Sequence, residues 1–271
     1  MSNYSNLQSI AILGAGNIGC AIADGLANSG EFIPSSITLT RRRTGKLESF
    51  EKRGFRITSD NVQAVDDSKI LIICVEPHQL DDLLQEISPN LNAKEHLIIS
   101  VVSGASIESI KLHIAAGVAV TRAMPNTAIA IRESMTCITG DKSDKSAMNA
   151  TIKIFDSLGS TQVIREDQMS SATALCACGI AFFLRAIRAA SQGGIEIGFD
   201  SAEALTMATQ TALGAAGLLK EMKNHPEFEI DRVTTPKGCT ISGLNQMEHG
   251  GFSSAMIRGI VTSSEKAEKL Y

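Results

Sequence analysis

The chain has 271 residues, 44% of them hydrophobic and 20% charged, with a formal net charge of −4. That length accommodates two domains with a sizeable core. The acidic balance excludes the basic surplus of a nucleic-acid binder.

Residues 1–8 are short and polar and lack the charged start and apolar run of a signal peptide. Residues 9–13 read as a strand and 17–29 as a helix. Between them stands Gly14-Ala15-Gly16-Asn17-Ile18-Gly19, a GxGxxG string. Alone it is a weak signal; between a strand and a helix it gains the context of a dinucleotide-binding turn. Gly14 would allow the tight turn, Gly16 the approach of backbone to a pyrophosphate, and Gly19 the packing of helix on strand. The N–H groups of Asn17 and Ile18 would open the helix towards the phosphates. The bland alternative is a cluster of turn glycines with no ligand.

A second strand, 37–40, ends in Thr40 and runs into Arg41-Arg42-Arg43-Thr44. An NAD site places a carboxylate there for the ribose hydroxyls, and none is present. Thr40, Arg41 and Arg42 suit a 2′-phosphate, because guanidinium groups bind phosphate oxygens in pairs. NADPH is therefore favoured, with NADH possible, against the alternative of a solvated basic turn.

Residues 44–53 read as a helix. The runs 70–75, 97–102 and 118–123 are apolar enough to be strands buried on both faces of a parallel sheet flanked by helices. Val75-Glu76-Pro77-His78 leaves the first of these runs at the end where ligands collect in open α/β sheets. His78 is either a proton donor or a structural histidine. Arg122-Ala123-Met124-Pro125-Asn126-Thr127 leaves the last run. Its Asn126 either serves a carboxamide or ribose or sits in an ordinary Pro-Asn turn.

Near residue 165 the strand signals stop. Residues 169–191, 201–222 and 240–270 read as helices rich in Ala, Gly, Ser and Thr. Residues 169–184 are uncharged and look like a buried soluble helix, and no apolar run reaches the roughly 18 residues of a membrane span. Such small-residue helices either complete their core against another subunit or form a tight monomeric bundle. The division falls at 1–165 and 166–271, with no linker and with a ligand cleft expected between the two domains. Thr235-Pro236-Lys237-Gly238-Cys239-Thr240 leads into the last helix. The stretch is either a carboxylate site at a helix N-terminus, capped by Thr235 or Thr240, or a plain cap.

Six cysteines (Cys20, Cys74, Cys137, Cys176, Cys178 and Cys239) are scattered without a CxxC. They read as reduced, small, buried side chains of a cytoplasmic protein. Neither they nor the five histidines show metal-ligand spacing, so no metal is expected.

Taken together these segments resemble the pyrroline-5-carboxylate reductase family over essentially the whole chain. The glycine loop ends at Gly19; Val75 to His78 matches a V-x-P-H turn and Arg122 to Thr127 an R-x-M-P-N-T segment. Arg232 to Thr240, with Gly250-Gly251-Phe252, matches the C-terminal signature, the most specific part. His225-Pro226 and residues 210–216 also fit. The resemblance implies an α/β fold with an N-terminal Rossmann-type doubly wound sheet and an all-helical C-terminal dimerisation domain. It implies homodimers, which in this family often build decamers, and a hydride transfer from NAD(P)H that turns 1-pyrroline-5-carboxylate into L-proline. By the same resemblance Thr240 would bond the imine nitrogen. Thr235, with the N–H groups of Cys239 and Thr240, would hold the substrate carboxylate. Val75, Pro77 and Asn126 would lie along the nicotinamide half of the cofactor.

Three departures stand out. The family's G-S-G-P-A-Y loop is replaced by Cys176-Ala177-Cys178-Gly179-Ile180-Ala181-Phe182, Glu76 replaces a basic residue, and Arg185 and Arg188 occupy a region that carries an acidic one. The first and third bear on the substrate pocket or the dimer contact and leave room for a different small imine within the reductase class. The other alternative, an NADPH-binding regulator without activity, would have no need of the Thr235–Thr240 signature. A β-hydroxyacid dehydrogenase would need a lysine on helix 169–191, which has none.

Overall fold

The computed structural model describes residues 9–141 and 143–271; the signal-peptide reading of residues 1–8 falls outside them. Contact density divides the chain into two compact units. One comprises Met1–Cys178 with Ser263–Tyr271, the other Gly179–Thr262.

The first unit is an eight-stranded sheet with helices between its strands. Its elements are β1 (Ile10–Leu13), α1 (Asn17–Ser29), β2 (Ile37–Thr40), α2 (Glu48–Glu51), β3 (Arg56–Thr58), α3 (Asn61–Asp66), β4 (Ile70–Ile73) and α4 (Leu80–Ile87). They continue with β5 (Leu97–Ser100), α5 (Ile107–Leu112), β6 (Ala119–Met124), β7 (Ser134–Gly140), α6 (Lys145–Asp156), β8 (Gly159–Val163) and α7 (Met169–Ala172). The sheet order is β3-β2-β1-β4-β5-β6-β7-β8. Its first six strands are mutually parallel, the doubly wound arrangement with its switch point between β1 and β4. β7 runs antiparallel to β6, a reversal that the apolar runs alone did not announce.

β1, β2, β4 and β5 are buried along their whole length, as continuous apolar runs in a two-sided sheet require. Alternation sorts their side chains. Ile10, Ile12, Ile70, Ile72, Leu97 and Ile99 join α1 and α6 in one core cluster. Ala11, Leu13, Leu71, Ile73 and Ile98 join α3, α4 and α5 in another. Fully burying a side chain of this size contributes about 1.5–3 kcal/mol, so both faces of the sheet are anchored without help from another chain. Residues 44–53, read as one helix, form a 3-10 turn Thr44–Leu47 and the four-residue α2. Gly45 sits inside the turn and lowers helix propensity there.

α7 passes through a π-helical turn, Thr173–Cys178, into the second unit. That unit carries α8 (Gly179–Glu196), α9 (Ser201–Met222), α10 (Pro226–Val233), α11 (Cys239–His249) and most of α12 (Phe252–Ala267). The expected single helix 240–270 is two helices, because Gly251 takes φ +78° between α11 and α12. α8 and α9 approach closely where Gly194 faces Ala204: a Cβ on the glycine would lie 2.9 Å from that of the alanine. Asp200 caps α9 and forms a reciprocal capping box with Glu203.

Within this unit only Gly179, Ser191 and Ala204 are buried. The expectation of a buried helix over 169–184 holds only in part: Met169, Ala172, Thr173, Ala174 and Gly179 are buried, whereas Leu175, Phe183 and Leu184 are well exposed. The helical run Glu166–Glu196 is moreover long and apolar enough, by length and composition, to cross a membrane, contrary to the reading of the sequence. The cysteine reading is also revised. Cys74 and Cys137 are buried, Cys20, Cys176 and Cys178 are half-buried, and Cys239 is exposed.

Candidate active site

The glycine loop leaves β1 under pressure from its neighbours. Gly14 takes φ +92°, a left-handed conformation that favours glycine. A Cβ there would stand 2.6 Å from Val75 Cγ1, so the loop lies directly against the turn that follows β4. A Cβ on Gly19 would meet the Gly14 carbonyl oxygen at 2.9 Å and Ile12 Cγ2 at 3.1 Å; the missing side chain lets α1 lie down on β1. Gly16 differs from both. Its φ is −84°, open to any residue, and a Cβ would meet nothing within 4 Å. Neither strain nor packing within the chain calls for glycine there; a ligand drawn against the backbone does. Gly16 is also the N-cap of α1 and no side chain caps that helix. The first-turn N–H groups of Asn17 and Ile18 thus keep their capacity to donate. This donor set fits a pyrophosphate.

The end of β2 is wired into the same loop. The Thr40 hydroxyl donates to Asn61 Oδ1 at 2.7 Å and accepts from the Gly14 N–H at 3.2 Å, while its carbonyl accepts from the Ala15 N–H at 2.8 Å. Asn61 in turn donates to Glu86 at 3.0 Å. Thr40 is 2% exposed and braces the loop from below with its hydroxyl already engaged. Arg41 and Arg42 follow directly on this strand end. Arg42 is exposed, and half-buried Arg41 is steadied by donating to the Ala15 carbonyl at 2.8 Å.

Pro77 opens a 3-10 turn, Pro77–Gln79, in which His78 is exposed. Asn126, expected along the nicotinamide, has both ends of its amide in use. Oδ1 accepts from the Ala128 N–H at 3.0 Å, and Nδ2 donates to the Cys176 carbonyl at 3.2 Å. It ties the end of β6 to the π-helical turn. Beside it, Arg122 is 5% exposed and pairs with Glu166 at 3.2 Å. Burial lowers the Arg122 pKa and the Glu166 hydrogen bond opposes that shift. Glu166 also accepts from the Ile107 N–H at 2.7 Å, so one carboxylate joins β6, α5 and the entry to α7.

The second unit brings the C-terminal group together by itself. Lys237 takes φ +60°, folding the chain so that the Gly238 N–H donates to the Thr235 carbonyl at 2.9 Å. Gly238 is the N-cap of α11 and no side chain caps that helix. The caps expected of Thr235 and Thr240 are therefore absent: Thr240 is the second residue of the helix, and Thr234 instead donates to the Ile230 carbonyl at 2.7 Å. Thr235, Cys239 and Thr240 are exposed. Two hydroxyls and the free N–H groups of a helix N-terminus form an anion-accepting set.

Sequence reasoning missed Asn61, Glu86 and Glu166. β3 is a three-residue strand without an apolar run, so the position of Asn61 just beyond it gave no signal. Glu166 was legible only as a charge near the domain boundary.

A doubly wound dinucleotide-binding sheet followed by a helical domain with its own anion-accepting turn defines a two-domain pyridine-nucleotide oxidoreductase. Residues 166–270 match the family model described as pyrroline-5-carboxylate reductase dimerisation, and residues 9–104 match that of NADP oxidoreductase, coenzyme F420-dependent. Pyrroline-5-carboxylate reductase 2 of Dictyostelium discoideum is 48% identical over 284 residues, covering 99% of this chain and 95% of that protein. Pyrroline-5-carboxylate reductase 1 of the same organism is 53% identical over 283 residues, covering 100% of this chain but 51% of the relative, so the chain spans about half that protein's length. The crystal structure of Plasmodium falciparum pyrroline carboxylate reductase with NADP bound superposes with a TM-score of 0.89 at 22% identity, covering 98% of this chain and 99% of that one. The chain belongs to the pyrroline-5-carboxylate reductase family.

Proposed function

We propose that the chain reduces 1-pyrroline-5-carboxylate to L-proline with NADPH, the last step of proline biosynthesis. The observation that carries this reading is the uncapped amino end of α11 between the exposed hydroxyls of Thr235 and Thr240. A small imine bearing a carboxylate needs such a set, and a sensor of cofactor alone does not. The 48% identity to a full-length reductase supports the same substrate.

When bound, NADPH supplies the hydride. The backbone of Gly14, Gly16 and Gly19 and the first N–H groups of α1, from Asn17 and Ile18, would take its pyrophosphate. Arg41 and Arg42 would take its 2′-phosphate, with Thr40 holding the loop in shape. The NADP reported with the Plasmodium falciparum relative supports that preference. Val75 and Pro77 would border the nicotinamide half, and Asn126 would act there by fixing the backbone at Cys176. Thr235 and the N–H groups of Cys239 and Thr240 would anchor the substrate carboxylate, and the Thr240 hydroxyl would hold the ring nitrogen. A cyclic imine that arrives protonated accepts hydride without a strong protein acid. Rigid placement then carries the catalysis and can supply about 7–11 kcal/mol.

We place the functional division at 165/166. The second domain presents Phe183, Leu213, Phe228 and Ile257, each more than half exposed, a surface suited to a second copy of the chain. A homodimer, with assembly to a decamer as a further step, is the state we assign. The six free cysteines suit a reducing compartment, the cytoplasm.

Loss of reduced-nicotinamide absorbance on mixing the protein with 1-pyrroline-5-carboxylate tests the reaction. Brisk oxidation of NADPH, faster than of NADH, is expected. A folded, NADPH-binding protein that leaves both cofactors intact would overturn the reading in favour of a sensor or of another imine.

A further inference from the structure

Cys137 lies on β7 and Cys176 in the π-helical turn, 39 positions apart in sequence, and their Sγ atoms are 3.8 Å apart. Met124, Met169, Ala172, Ile164 and Ala177 form an apolar wall about them. Cys137 is 5% exposed, whereas Cys176 is half-buried. The turn that carries Cys176 is held by the Asn126 amide on its carbonyl, so the two sulfurs meet because the backbone is fixed on both sides. A disulfide needs about 2.0 Å between sulfurs. The remaining gap is within reach of side-chain rotation and a small shift of the turn.

We infer that Cys137 and Cys176 are a redox-modification site, a thiol pair that a hydroperoxide converts into an intrachain disulfide. The Cys176 thiolate attacks one oxygen of the hydroperoxide. The O–O bond breaks, the departing oxygen leaves as alcohol or water after taking a proton, and Cys176 becomes a sulfenic acid. The Cys137 sulfur then attacks the Cys176 sulfur, the S–O bond breaks, and the oxygen leaves as water with the Cys137 proton. Two thiols are oxidised by two electrons and one hydroperoxide is reduced.

Cys176 is the sulfur oxidised first because it belongs to the less buried residue of the pair. The hydrogen bond it shares with Cys137 also pulls its pKa down to about 7. The same hydrogen bond, with burial, pushes Cys137 up, so Cys137 stays protonated while Cys176 reacts first. Cys74 is buried and pushed up by desolvation. The bond would tie β7 to the turn that leads into α8, closing a long loop in the unfolded chain and raising the thermal midpoint.

Treatment of the assembled protein with hydrogen peroxide, alkylation of remaining thiols and unreduced peptide mapping tests this site. The expected product is a joined peptide pair carrying Cys137 and Cys176, two hydrogens lighter than the separate peptides and released by dithiothreitol. The melting midpoint should rise on oxidation and fall back on reduction. Cys176→Ser should abolish both the link and the shift. Cys137→Val, which keeps the buried position apolar, should do the same and leave Cys176 to over-oxidise. Cys178→Ser should retain both. A link through Cys178, a link between chains, sulfonic acid at Cys176 with Cys137 still open to alkylation, or no oxidation of either thiol would each overturn the proposal.

Discussion

The sheet unit and the helical unit bury themselves differently. In the sheet unit, strands β1, β2, β4 and β5 are covered from end to end, and two separate clusters of Ile and Leu close its faces. In the helical unit, Gly179, Ser191 and Ala204 are the buried residues, and Gly193, Gly214 and Gly217 have open space where a side chain would stand. Ordering a residue's backbone costs about 1–2 kcal/mol, and three small buried residues, one of them a glycine, do not offset that for five helices. The difference teaches that average hydrophobicity says nothing about whether a core is complete within one chain. What distinguishes the two units is the size of the residues at the faces that meet.

The largest effect should come from charging the open helical surface. The double variant Phe183→Lys/Leu213→Lys is expected to abolish assembly and, with it, most of the reductase activity. Both side chains are more than 60% exposed in the single chain. The control is Leu112→Lys in the sheet unit, where Leu112 is 80% exposed and the change should stay within about 0.5 kcal/mol. Light scattering behind size exclusion reads the first variant and chemical denaturation the second. Equal behaviour of the two would remove the contrast between the units.

Next in size is Phe155→Ala. Phe155 is fully buried in the α1–α6 face of the sheet, and its loss should cost about 3–5 kcal/mol. The assembled mass should not change, because that core is finished inside one chain. A drop in mass together with the drop in stability would mean that the two units depend on one another for their folding.

Thr240→Ala should leave stability and NADPH affinity nearly unaltered, since Thr240 is exposed and makes no cap. A hydrogen bond to a charged group contributes about 1.5–3 kcal/mol, so kcat/KM should fall by about 10–100-fold. Unchanged steady-state kinetics would remove Thr240 from the site.

Legibility in the sequence follows the same contrast. The helix over 17–29 and the strand over 37–40 were read with the bounds that the fold shows, because a glycine loop and a buried apolar run are strong local signals. β3, β7 and β8 carry polar residues at a sheet edge or beside it, and passed unread. The turn that opens α11 is marked in the sequence by its Pro-Lys-Gly punctuation. Its lack of a side-chain cap depends on Lys237 entering the left-handed region, which residue type alone does not announce. Thr40 and Asn126 were read as ligand contacts from their chemistry. Their hydroxyl and amide prove to be spent on Gly14, Asn61, Ala128 and Cys176, partners far off in sequence or hidden in a turn.

The finest comparison is within one loop, between Gly14→Ala and Gly16→Ala. At Gly14 the backbone is left-handed and a Cβ would press to 2.6 Å of Val75, so alanine should cost about 1–3 kcal/mol in strain and lower NADPH affinity as well. At Gly16 an added methyl meets nothing of the protein. Its restriction of the unfolded chain is worth about 0.4–1 kcal/mol in favour of folding, and a poorer N-cap offsets a similar amount. Net stability should stay within about 0.5 kcal/mol, yet NADPH binding should weaken, because the methyl projects into the space against the uncapped end of α1. Isothermal titration beside thermal melts separates the two. If Gly16→Ala bound NADPH as tightly as the parent, the pyrophosphate would lie elsewhere, and the glycine that no contact or strain explains would need another reason.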